Sequence, residues 1–221
     1  MSYSLVVFDW DGTLMDSTHS IVAAIQGACR DLALPVPSAS DASWVIGLSL
    51  ESALRRAVPQ LTPAMLPRFL ERYRTHYLLR DPELRLFDGI PELLTELAER
   101  NVRLAVATGK SRVGLTRALA ATGLGPVFDA TRTADETFSK PHPAMLHELM
   151  TELDVDPARV VMVGDTSHDL QMATNAGVHG LGVTYGAHTL KELEGCGPQA
   201  ILDSVPLVRE WLLGRTLAAA A

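Results

Sequence analysis

Four short apolar runs recur along this chain: "SLVVFDW" from Ser4, "VRLAVATG" from Val102, "VVMVGD" from Val160 and "GLGVTYG" from Gly180. Each is too brief for an ordinary helix and too uniformly apolar for a strand with one wet face, so each reads as a strand buried on both sides. Helical patterns lie between them. Val113, Leu115, Ala118, Leu119 and Thr122 mark one apolar stripe that stops at Gly123, and "HPAMLHELMTEL" supplies a second amphipathic segment ahead of the third run. Strand and helix in alternation predict an α/β architecture, a parallel sheet covered by helices on both faces.

The alternation fails over one stretch. Residues 15–81 read as helices only, and the alternating pattern resumes near Phe87. Ser17 or Thr18 is a candidate cap for a helix carrying Ile21, Val22, Ile25, Cys29 and Leu32 on one side, which "LPVPSAS" ends. "SWVIGLSLESALRRAV" follows, then "TPAMLPRFLERYRTHYLLR", where Thr62 is the candidate N-cap and Pro63 the first helical residue. Pro67 leaves that start open by several residues. The expected organisation is a core of residues 1–14 and 82–221, interrupted by an all-helical cap of residues 15–81 with hinges near Met15 to Ser17 and Asp81 to Asp88. Beyond the alanine tail, Ala218 to Ala221, there is no low-complexity segment.

Composition excludes several classes. The 221 residues are 47% hydrophobic, enough for a substantial core, and the net charge of −7 comes without a basic stripe. Neither nucleic acid nor an anionic membrane is an expected partner. Cys29 and Cys196 stand alone, no secretory pattern opens the chain, and no apolar stretch approaches the roughly 20 residues of a membrane span. A cytoplasmic location is the expectation; oligomeric state leaves no signal. The seven histidines form no ligand pattern and are assigned to loops and surface packing, and Trp44 and Tyr77 to the small core of the cap rather than to the cap side of the cleft.

Three of the four runs end in polar groups: Asp9 with Asp11, Thr108 with Gly109, and Gly164 with Asp165. In an open parallel sheet the crevice beyond the carboxyl ends of the strands is where ligands bind, so these groups are expected to meet. Trp10, between two aspartates, alternates to the other face and packs. Converging carboxylates repel and take up protons unless a cation sits among them. Donors that are all oxygen select a hard ion, most simply Mg²⁺, which keeps an open face for a phosphate. Lys140, in "SKPHP", is one of three lysines, and either balances that charge or lies solvated in its loop.

The segments "DWDGTLMDS", "VATGK", "SKPHP" and "VMVGDTSHD" resemble, in order, the four motifs of the haloacid dehalogenase superfamily, and the match spans the chain. The likeness is nearest to its phosphoglycolate phosphatase-like group, with a Rossmann-like core and a helical cap; "GVTYGAH" near the C-terminal end is also similar to that group. The resemblance implies a Mg²⁺-dependent phosphatase acting on a small phosphorylated metabolite. It implies that Asp9 is the nucleophile and a Mg²⁺ ligand, forming an aspartyl-phosphate. Asp11 would be the general acid and base, with its carbonyl on the metal. Thr108, the Gly109 amide and Lys140 would hold phosphoryl oxygens, Asp165 would bind Mg²⁺, and Asp169 would position Lys140 or a metal-bound water.

Residue 11 discriminates within the superfamily, where an Asp is typical of phosphatases and phosphomutases and is lacking in dehalogenases. Residues 15–81 hold no lysine, against the Schiff-base chemistry of phosphonate hydrolysis. A mutase of the β-phosphoglucomutase type is disfavoured because "GLSLES" lacks the expected arginine, although Arg55 or Arg56 could substitute. Relatives often carry Asn where Gly109 stands, which leaves Lys110 either facing the phosphate or solvating its loop. A pyrophosphatase, and a relative that binds a phosphorylated ligand without turning it over, remain as alternatives.

Overall fold

In the computed structural model, residues 2–81 and 84–216 are described. The alanine tail and residues 82 and 83 of the second expected hinge lie outside them. Leu5–Phe8 forms β1, and its side chains divide by parity: Leu5 and Val7 enter one hydrophobic cluster, Val6 and Phe8 the other. A strand that buries both sets must lie inside a sheet covered on both faces. The sheet has six parallel strands in the order β5-β4-β1-β6-β7-β8, with β4 at Arg103–Thr108, β5 at Ala130–Thr133, β6 at Val160–Gly164, β7 at His179–Val183 and β8 at Ala200–Leu202. On one face lie α7 (Ala144–Leu153) and α8 (Ser167–Ala176); on the other lie α5 (Ile90–Glu99), α6 (Arg112–Thr122) and α10 (Val205–Leu213). The short α9 spans Leu190–Glu194.

The four apolar runs are β1, β4, β6 and β7. The expected α6 stripe is narrower than its sequence pattern: Leu115 is buried, but Val113 is 80% exposed. Gly123 ends the helix in the left-handed region, at φ 71°.

Between β1 and β4 the chain builds a helical cap with a hydrophobic cluster of its own, centred on Ile25, Leu54 and Phe69. Its helices are α1 (Thr18–Asp31), α2 (Ala39–Trp44), α3 (Leu50–Ala57) and α4 (Leu66–Arg80). β2 (Met15–Asp16) and β3 (Arg85–Leu86) pair antiparallel where the chain leaves and rejoins the core. "SWVIGLSLESALRRAV" is broken at Gly47, φ 92°, after which Ser49 caps α3. Thr62 does not cap α4. Its carbonyl closes a separate turn with the amides of Met65 and Leu66, and α4 starts at Leu66. A helix begun at Pro63 would need an amide proton from Pro67; starting at Leu66 puts that proline in the first turn, where none is needed.

Candidate active site

β1 lies between β4 and β6, and the three strands run in register, Phe8 opposite both Val106 and Val163. Their carboxyl ends are therefore level, at the point where the strand order reverses. Asp9 leaves the end of β1 with its amide on the Val163 carbonyl at 2.9 Å, Thr108 is the last residue of β4, and Asp165 follows β6. All three are buried. Trp10 turns into the core and meets Phe128 edge-on, as alternation requires.

Carboxylate oxygens of Asp9, Asp165 and Asp169 lie within 4.8 Å of one another. The Lys140 ammonium sits 2.8 Å from Asp9 and 2.7 Å from Asp169. The other oxygen of Asp169 accepts the Thr166 amide and hydroxyl, closing a capping box at the start of α8. Asp165 is held at both oxygens, by the Thr13 hydroxyl at 2.8 Å and the Ala187 amide at 2.7 Å. At Gly12, φ 81°, any Cβ would overlap the Asp165 carboxylate, so the turn after β1 closes on Asp165 only with glycine there. Asp9 Oδ2 is buried with no protein partner.

Asp11 belongs to a second branch. Ser17, the N-cap residue of α1, makes no cap bond; its hydroxyl donates instead to Asp11 at 2.6 Å. Lys110 donates to Asp11 at 2.9 Å and to the Tyr77 hydroxyl at 3.2 Å. Lys110 is thus held, partly buried, between a core carboxylate and a cap phenol rather than solvated in its loop, and Tyr77 serves this branch as well as the cap. A cavity of about 110 Å³ borders Lys110, Tyr77, Trp10 and Arg117. Thr108 accepts the Lys110 amide at 3.2 Å, and a Cβ on Gly109 would overlap the cap carbonyls of Gly47 and Leu48.

Burial, with Asp169 and Asp165 nearby, drives the Asp9 carboxyl well above its ordinary range against the pull of Lys140. Burial and Asp169 push Asp165 up to about 7. Lys140 loses hydration by burial, yet Asp169 and Asp9 more than offset that and raise it; Lys110 is raised against burial by Asp11 and Tyr77. The site therefore holds more carboxylate than its two lysines balance, and one buried oxygen of Asp9 lacks a donor. Residues of that kind, with oxygen donors only, fit a hard divalent cation such as Mg²⁺.

The eight expected residues separate into the Asp9–Lys140–Asp165–Asp169 cluster, the Asp11–Lys110 pair, and Thr108 with Gly109 at the end of β4. Thr13 and Ala187 join the site from inside "DWDGTLMDS" and "GVTYGAH", where no role is assigned to them, and Tyr77 joins it from the cap. The histidines need a correction: His168 and His188 are buried against the cap, each within hydrogen-bonding distance of the Trp44 carbonyl. The signal for His188 lies in "GVTYGAH", whose turn follows a strand at the same sheet edge.

A family model described as haloacid dehalogenase-like hydrolase matches residues 6–183. The chain belongs to that family. This hydrolase is 39% identical over 206 residues to "Probable phosphatase IndB" of Dickeya dadantii, covering 90% of the chain and 89% of that protein. It is 33% identical over 204 residues to a phosphoglycolate phosphatase of Pectobacterium atrosepticum, covering 90% and 87%. The crystal structure of a "predicted phosphoglycolate phosphatase" from Haemophilus somnus is similar at a TM-score of 0.86 and 26% identity, over 96% of this chain and 98% of that one.

Proposed function

We propose that this haloacid dehalogenase-like hydrolase is a Mg²⁺-dependent phosphatase that cleaves a small phosphate monoester with an acidic leaving group, of the 2-phosphoglycolate kind. The observation that carries the reading is Asp9: a buried carboxylate at the end of β1 with one oxygen on Lys140 and the other without a protein donor. In the reading, that carboxylate attacks phosphorus, the ester oxygen leaves, and an aspartyl-phosphate forms on Asp9. Asp11, held by Ser17 and Lys110, gives its proton to the departing alkoxide and then takes one from the attacking water. Lys140, the Thr108 hydroxyl and the Gly109 amide hold the phosphoryl oxygens, and Lys110 faces the leaving-group side. Asp9, Asp165 and the Asp11 carbonyl would hold Mg²⁺, with Asp169 keeping Lys140 in position. Bound there, the ion neutralises charge on the transferring phosphoryl oxygens.

The acidic leaving group is supported by Lys110, an ammonium held at the seam between Asp11 and the cap phenol of Tyr77, and by a relative named phosphoglycolate phosphatase. A mutase reading finds little support, since Arg55 is paired with Glu51 and the Arg56 guanidinium lies over the Trp44 ring. No helix among the described residues is long and apolar enough to cross a membrane, and Cys29 and Cys196 are free thiols, in keeping with a reducing cytoplasm. The test is phosphate release from 2-phosphoglycolate, sugar phosphates, nucleotides and pyrophosphate, each with Mg²⁺ and with chelator. Metal-dependent turnover that disappears in Asp9→Asn is expected, with 2-phosphoglycolate preferred. Turnover that survives chelation or Asp9→Asn sinks the mechanism; preference for pyrophosphate or a neutral sugar ester sinks the substrate class.

A further inference from the structure

After β7 the chain crosses the carboxyl end of the sheet in a tight turn, Tyr185 to His188, and this turn is gripped from two sides. On the core side, the Ala187 amide holds Asp165 Oδ2 at 2.7 Å and the His188 amide reaches the Asp165 carbonyl at 3.3 Å. The fit is so close that a Cβ on Gly186 would overlap the Asp165 side chain. On the cap side, the Ala187 carbonyl accepts the Ser43 hydroxyl at 3.0 Å, and His188 Nε2 lies 2.9 Å from the Trp44 carbonyl. His188 Nδ1 accepts the Ser167 amide at 3.0 Å, so the ring proton is on Nε2 and the imidazole donates to the cap. Trp44 is the last residue of α2, where a helix has carbonyls without partners of its own.

We propose that His188 is a positioning residue, and that the Tyr185–His188 turn ties closure of the cap to the hold on Asp165. With the cap down, Ser43 and Trp44 fix the turn, and the turn aims the Asp165 carboxylate. With the cap lifted, Asp165 keeps the Thr13 hydroxyl but loses the rigidity of its Ala187 contact. The inference rests on the reading that Asp165 ligates Mg²⁺. Coupling of this kind is reciprocal, so an ion held by Asp9, Asp165 and the Asp11 carbonyl, all of them core groups, would favour the closed cap by the same factor that closure improves its binding.

The experiment uses the full chain and Mg²⁺ alone, without substrate. Calorimetry measures Mg²⁺ affinity, and amide hydrogen exchange follows residues 39–48 with and without the ion. In the unaltered protein Mg²⁺ should slow exchange in α2. In His188→Phe and in Ser43→Ala, affinity should weaken about three- to tenfold, the worth of one hydrogen bond, and α2 should stop responding. His188→Gln, whose amide reaches towards the position of Nε2, should recover part of both effects. Ser43 is a half-buried cap side chain, so its variant keeps the test open should His188→Phe not fold. Full Mg²⁺ affinity in both variants, or an α2 indifferent to Mg²⁺ in the unaltered protein, overturns the coupling and leaves the metal reading standing. An unaltered protein that binds no Mg²⁺ overturns both.

Discussion

Asp11 is held by a hydroxyl on one side and an ammonium on the other, with Ser17 at 2.6 Å and Lys110 at 2.9 Å. This arrangement fixes its carboxylate without tying it to the Asp9 cluster, which suits the two-way proton transfer proposed for it. Asp11→Asn keeps the shape and removes the proton chemistry; turnover should fall about 10²- to 10⁴-fold while Mg²⁺ still binds, as rate and calorimetry together would show. In the proposed mechanism Lys110→Met removes a charge from the leaving-group side. The ratio of kcat/KM for an acidic ester to that for a neutral one should drop about tenfold or more, the scale of a hydrogen bond to a charged group. An unchanged ratio would mean that Lys110 serves Asp11 alone. Neither Lys110 partner is readable in "VATGK", because Asp11 is 99 residues away in the chain and Tyr77 enters from the cap.

At the scale of elements, Gly109 is the point where the end of β4 meets the cap turn at Gly47 and Leu48. A side chain there would overlap two cap carbonyls, so Gly109→Val should hold the cap off the core and lower kcat/KM about 10²-fold, with hydrogen exchange in residues 45–49 rising in parallel. Intact kinetics in that variant would show that closure does not need this contact. The strands legible in sequence are β1, β4, β6 and β7, which lie inside the sheet and are apolar on both faces. β5 and β8 are the edge strands, of 4 and 3 residues, of which only Ala130 and Thr133 are buried, and they carry no apolar run long enough to recognise. Convergence of Asp9, Thr108 and Asp165 is legible for the same reason as the inner strands: it follows from parallel order. The burial of His168 and His188 is not, since their partner is a backbone carbonyl of the cap, and a backbone group leaves no residue type to read.

For the molecule as a whole, the buried carboxylates make stability depend on protons and metal together. Without the ion, Asp165 keeps its proton up to about pH 7, against an ordinary 3.8, so the folded chain binds more protons than the unfolded one and its stability falls as pH rises through that window. His168, held down to about 4 from 6.5 by burial, acts in the opposite sense between those two values, within the same window. The increment in melting temperature on adding Mg²⁺ isolates the carboxylates. Because the ion must displace their protons, that increment should be larger at about pH 8 than at about pH 5.5, and a flat increment would remove Asp165 from the ligand set. Asp9 is only 1% exposed, so in the proposed mechanism substrate reaches it only when the cap lifts. Trp44 stands at the seam where that happens, the Arg56 guanidinium 3.6 Å from its ring centroid and His188 stacked at 5.6 Å, while Trp10 is buried in the core and Trp211 packs, partly buried, against it. Opening strips His188 from the indole, so the protein carries its own optical gauge, and a stopped-flow trace of tryptophan emission would time the cap without a label.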